Sequence, residues 1–97
     1  MGFRLNEMKD KVVLVTGSGR GFGRGMAVAY ARAGAKVAGC SRTSSELESM
    51  AQTIRSHGGE VTIYPMDLSN EKEIYEMRDD ILDKYGRLDC LVNNAAT

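Results

Sequence analysis

The 97-residue sequence predicts an α/β fold in which four short strands alternate with three helices. Three observations carry that prediction. An apolar, β-branched run, Val12-Val13-Leu14-Val15-Thr16, stops at a cluster of glycines, and an alanine-rich stretch with helical spacing follows at once. The same change from strand-like run to helical period recurs along the chain, giving β-α-β-α-β-α-β. Finally, glycines close each helical stretch (Gly34, Gly58-Gly59 and Gly86), where a left-handed residue is wanted.

Residues 1–10 read as a polar lead-in and 11–97 as the folded unit. The first strand, 12–16, is apolar on both faces, as the centre of a parallel sheet requires. The first helix carries Phe22, Met26, Ala29, Tyr30 and Ala33 at helical spacing, and Gly25, Ala27, Ala29 and Ala31 keep its surface thin against the sheet. A second strand spans 37–41. Thr43-x-x-Glu46 then resembles a capping box opening a helix with Leu47, Met50, Ala51 and Ile54 on one face. The third strand, 61–65, alternates and ends at Pro65. Asp67-Leu68-Ser69-Asn70 turns into a helix with Ile74, Met77, Ile81 and Tyr85 facing inward, and 88–93 form the fourth strand. Right-handed crossovers give a parallel sheet with helices on both faces, and the doubly wound order 3-2-1-4, of Rossmann type, would place the fourth strand on the far side of the first. Its ligand crevice falls at the switch point, outside the carboxyl ends of strands one and four.

Composition narrows the function. Thirteen Lys and Arg balance thirteen Asp and Glu, so net charge suggests neither a nucleic acid nor an anionic membrane partner. No apolar run approaches the roughly 20 residues that span a bilayer, and the first residues lack a signal peptide's apolar core. Asn6 stands where a myristoylation motif wants Ser or Thr, so a cytoplasmic protein is expected. The two cysteines make neither a disulfide framework nor a Cys-x-x-Cys pair; their strands put Cys40 and Cys90 near opposite sheet edges as buried thiols. His57 and the Asp79, Asp80 and Asp83 group read as solvated surface, with no metal site.

The glycine turn is the candidate site. A helix N-terminus behind a glycine-thinned turn favours an anion, because free N–H groups and the helix dipole both point at it. The strict G-x-G-x-x-G pattern fails from either Gly17 or Gly19, and no Gly-Lys-Ser/Thr follows, which excludes a P-loop. What stands there is Thr16-Gly17-x-x-x-Gly21-x-Gly23, joined by Asp67-Leu68 after the third strand and Asn93-Asn94-Ala95-Ala96 after the fourth. In these three motifs, from about Lys11 to Ala96, the chain resembles the short-chain dehydrogenase/reductase family. Ala96 departs from that family's usual glycine.

The resemblance implies a nicotinamide-cofactor site built from Gly17, Ser18, Gly19, Arg20, Gly21, Phe22, Gly23, Ser41, Arg42, Asp67, Leu68, Asn94 and Ala95. Gly17 and Gly21 would let the turn approach the pyrophosphate, with Phe22 in the place of the usual isoleucine, and Gly23 would pack helix on strand. Asp67 would accept from the adenine amino group beside Leu68, and Asn94 and Ala95 would support the ribose. An acidic residue ending strand two would select NAD. This chain has Ser41-Arg42 there, and Arg20 adds a second cation, so NADP(H) is expected over NAD(H).

The same resemblance implies an oxidoreductase that reduces a carbonyl or oxidises an alcohol, with a homo-oligomer expected of the complete protein. The family's catalytic Ser and Tyr-x-x-x-Lys have no counterpart here: four residues after Tyr30, Tyr64, Tyr75 and Tyr85 stand Gly34, Leu68, Asp79 and Asp89. The chain therefore reads as the amino-terminal, cofactor-binding half of such an enzyme, as a fragment or a truncated product. Alone, it is expected to be inactive and to bind cofactor weakly or not at all. The alternative is a non-catalytic nucleotide-binding or interaction module.

Overall fold

A computed structural model describes residues 8–94. The elements are β1 (Val12–Thr16), α1 (Gly21–Arg32), β2 (Lys36–Ser41), α2 (Ser44–Ser56), β3 (Glu60–Pro65), α3 (Glu71–Tyr85) and β4 (Cys90–Val92). The strands form one sheet in the order β3-β2-β1-β4, with every pairing parallel. The expected doubly wound order is therefore present.

Alternation along β1 explains the two layers. Val13 and Val15 point to the face covered by α1 and α2, where they meet Ala27, Ala31, Leu47, Met50 and Ile54. Val12 and Leu14 point the other way, into a smaller cluster with Ala38, Cys40, Met77 and Ile81 beneath α3. A strand with both faces covered needs apolar residues at every position, which is why its pattern is continuous. Full burial of Leu47, Met50 and Ile54 contributes about 1.5–3 kcal/mol each, so α2 is held mainly by its packing face. The Arg24 guanidinium ties α1 to α2 by donating to Ser49 Oγ and Thr53 Oγ1, both at 3.1 Å.

Several local expectations are corrected. The buried face of α1 is Gly23, Ala27 and Ala31; Met26, Ala29 and Tyr30 are half-buried and Phe22 is exposed, because small residues bring the helix too close to the sheet for larger ones. Thr43 is the N-cap of α2 but its side chain makes no capping hydrogen bond, so the capping box is not formed. Burial along β3 does not alternate strictly, since α3 covers only part of one face. The fourth strand is shorter than expected because only residues 90–92 pair with β1. Cys40 is buried on an interior strand, whereas Cys90 is half-buried on the edge strand; β1 alone separates the two strands. The three helix-closing glycines all have positive φ, from 77° to 101°, as expected.

β4 is held at both ends by polar contacts. At its start the Val12 amide donates to Asp89 Oδ2 at 2.8 Å, and Arg87 donates to both Asp89 oxygens. Those contacts hold the Asp89 carboxyl below its ordinary range, Arg87 first and the Val12 amide second. At its end β4 is joined to the glycine turn.

Candidate nucleotide-binding site

Thr16 makes that second junction. Its Oγ1 accepts from the Asn94 amide at 2.9 Å and donates to Asn93 Oδ1 at 3.0 Å. One hydroxyl thus fixes the chain leaving β4 against the last residue of β1, so the two ends flanking the switch point move together. The sequence placed Thr16 at the end of the first strand and the head of the glycine motif, without showing this junction. Its neighbour Asn94 also packs over α1, where a Cβ on Gly23 would lie 2.6 Å from Asn94 Nδ2 and closer still to the Gly17 carbonyl. Gly23 is therefore required by close approach, although its φ is unremarkable.

The carboxyl ends of the strands open onto a cleft of about 810 Å3. Of the expected residues, Gly17, Gly19, Arg20, Gly21, Phe22, Ser41, Arg42, Asp67, Leu68 and Asn94 line it. Gly17 and Gly21 both adopt φ 61°, a left-handed conformation that side chains other than glycine's resist. A Cβ on Gly19 would come within 3.0 Å of Glu46 Cβ and 3.2 Å of Ser41 Oγ, so side-chain bulk here would fill the cradle.

Gly23 and Ser18 do not line the cleft. Gly23 acts beneath it, as described. Ser18 is fully buried: its amide donates to the Cys40 carbonyl at 3.2 Å, and its Oγ faces Gly39 and Met50 without a hydrogen-bond partner. Ala95 lies outside the described residues. Four lining residues were missed: Thr43, Glu46, Met66 and Ser69. The signal available for them was topological, since the residues just after β2 and β3 must border a crevice at the strands' carboxyl ends.

Electrostatics suit an anion at one end of this cleft. Arg20, the N-cap of α1, is extended and provides no side-chain cap, and the helix has no acidic residue in its first turn. The first-turn amides therefore have no side-chain acceptor, and the positive end of the helix dipole is uncompensated. Across the cleft, Asp67 accepts from the Ser69 amide at 2.9 Å. That bond, with the nearby Arg42 charge as a smaller influence, holds the exposed Asp67 carboxyl below its ordinary value and hence ionised at neutral pH. The buried Cys40 thiol behind the turn is pushed up to about 11 by burial, the Gly17 amide opposing, which leaves it protonated and unreactive. Among the described residues no group of acidic, His or Cys side chains is arranged to hold a metal. No helix among them is long and apolar enough to cross a membrane.

Known proteins share this arrangement. An uncharacterised oxidoreductase of Mycobacterium tuberculosis is 41% identical over 92 residues, which cover 95% of this chain and 34% of that protein. The 11-beta-hydroxysteroid dehydrogenase-like 2 protein of Arabidopsis thaliana is 43% identical over 92 residues, covering 94% and 30%. A metagenomic short-chain oxidoreductase solved in complex with NADP superposes with a TM-score of 0.88 at 34% identity, over 92% of this chain and 40% of that one. The chain thus spans about a third of the length of the curated relatives it matches. Its glycine turn, strand order and switch-point contacts all lie within residues 11–97, the stretch matched by the short chain dehydrogenase model, and the chain belongs to that family.

Proposed function

We propose that the cleft holds the adenosine and pyrophosphate end of NADP(H), and that the whole protein is an NADP(H)-dependent oxidoreductase acting on a small carbonyl or alcohol. The observation that carries this reading is the bare N-terminus of α1, opening onto a cleft that also holds Arg20 and Arg42. When bound, the nicotinamide would supply or accept a hydride at its C4. Everything else asked of this chain is recognition. The first-turn amides of α1 and the left-handed Gly17 and Gly21 receive the pyrophosphate; Asp67 accepts from the adenine amino group, with Leu68 beside the ring. Asn94 borders the ribose, and Phe22 lines the cleft at its exposed edge.

Arg20 and Arg42 decide between cofactors. Neither makes an ion pair among the described residues, so both are available to a 2′-phosphate. Hydrogen bonds to charged groups are worth about 1.5–3 kcal/mol each. One bond at the low end of that range supports about a tenfold preference for NADP(H), and two at that end above about a hundredfold. The test is NMR titration of the chain with NADP+ and NAD+ at millimolar concentrations. The unmodified protein is expected to favour NADP+ and an Arg42→Asp variant NAD+; an unmodified protein favouring NAD+ overturns the reading.

A further inference from the structure

Strand β2 ends in Ser41 and Arg42 and so lacks the acidic residue that would accept from a ribose 2′-hydroxyl. The fold brings a carboxylate to the same wall by another route. Glu46 is the third residue of α2 and its side chain lines the cleft beside Ser41, Arg42, Arg20 and Gly19. Its Cβ is the atom nearest to where a Cβ on Gly19 would sit, at 3.0 Å, with Ser41 Oγ next at 3.2 Å. Glu46 is thus packed against both the glycine turn and the end of β2. It is half-buried, and its side chain makes no hydrogen bond or ion pair among the described residues.

We infer that Glu46 is a specificity-determining residue: it accepts from the ribose 2′-hydroxyl of NAD(H) and opposes the 2′-phosphate of NADP(H), and so narrows the preference for NADP(H) that Arg20 and Arg42 produce. The inference rests on the nucleotide reading proposed above. A carboxylate and a phosphate brought to one wall repel, and Arg20 and Arg42 must offset that repulsion before they produce any preference. The carboxylate contributed by α2 replaces the one missing from β2, at the cost of discrimination.

The experiment is the ratio of NADP+ to NAD+ affinity, measured by NMR titration for the unmodified chain, Glu46→Gln and Arg42→Asp. Glu46→Gln is nearly isosteric and lies in the first turn of α2, and amide spectra establish that it is folded; Glu46→Ala is the second variant. Both are expected to tighten NADP+ and weaken NAD+, raising the ratio by about fivefold to thirtyfold, roughly 1–2 kcal/mol when converted. A purely structural role at the start of α2 would change both affinities together and leave the ratio alone. An unchanged ratio in both variants, with Arg42→Asp still inverting preference, overturns the Glu46 inference and leaves the NADP(H) reading standing. No response of the ratio to Arg42→Asp overturns the nucleotide reading and the inference with it.

Discussion

The N-termini of α1 and α3 are built to opposite rules. Both helices start after a strand's carboxyl end, and both direct a dipole at the crevice side of the sheet. At α3 the Asn70 side chain accepts from the Glu73 amide at 3.2 Å, and Glu71 and Glu73 place negative charge in the first turn. At α1 the N-cap is an arginine without a capping bond, and the first turn contains no acid at all. Local stability favours the α3 solution, since a good cap is worth about 0.5–2 kcal/mol. The α1 end forgoes that and keeps its amides open to a ligand anion. One helix start is capped by the protein; the other keeps its first amides bare.

The comparison breaks most severely at Gly23. Gly23→Ala puts a carbon against the Gly17 carbonyl and Asn94, so α1 must lift from β1. A loss of at least about 3 kcal/mol is expected in urea unfolding, beyond what overpacking typically costs, because the obstruction is backbone. A variant of unchanged stability would mean that the helix start has room to shift.

Arg20→Asp makes α1 resemble α3. Capping and the dipole together should raise stability by about 1 kcal/mol, read as a higher thermal midpoint, while nucleotide binding is lost. Retained binding would contradict the role given to the open amides. Asn70→Ala is the reverse substitution: about 1 kcal/mol less stable, with nucleotide affinity unchanged. If it weakened binding as strongly as Arg20→Asp, the contrast between the two ends would fail.

The smallest effect is acid loosening of β4, which supports the crevice from the far side. Asp89 has a folded-state carboxyl below its ordinary 3.8, so its contribution is fully present above that value and fades as pH falls through the lower one. Hydrogen-exchange protection factors at the amides of residues 90–92 should fall below pH 3.8 in the unmodified chain and be lower but less pH-dependent in Asp89→Ala. An identical pH response in that variant would assign the loosening to other groups.

Much of this was legible in the sequence because local signals agreed. Continuous apolar residues marked β1, four spaced apolar residues marked the buried face of α2, and the glycines marked the turns. The alternation of strands and helices suggested a doubly wound sheet, and its order 3-2-1-4 placed Gly17, Arg20, Arg42, Asp67 and Asn94 on one crevice. What escaped was decided by close approach in three dimensions. On α1, Ala27 and Ala31 lie against the sheet as read, but Gly25 and Ala29 are not buried with them; Gly23 is, by close approach, leaving Phe22, Met26 and Tyr30 to the flanks. Ser18 stands between two glycines of the site motif, yet its hydroxyl turns toward Gly39 and Met50. Glu46 looked like a partner for Thr43, whereas it lies against Gly19 and the end of β2.

The central claim is that the open amides of α1 and the two arginines form one anion site. Titrating an isotopically labelled chain with 2′,5′-ADP, which carries both phosphates and no nicotinamide, tests it most directly. The amides of Gly21, Phe22 and Gly23 and the side-chain signals of Arg20 and Arg42 should shift together with a single affinity, and 5′-AMP should move the amides while leaving Arg42 nearly still. Shifts centred on residues 70–73 of α3, or arginine shifts with the α1 amides unmoved, would contradict it.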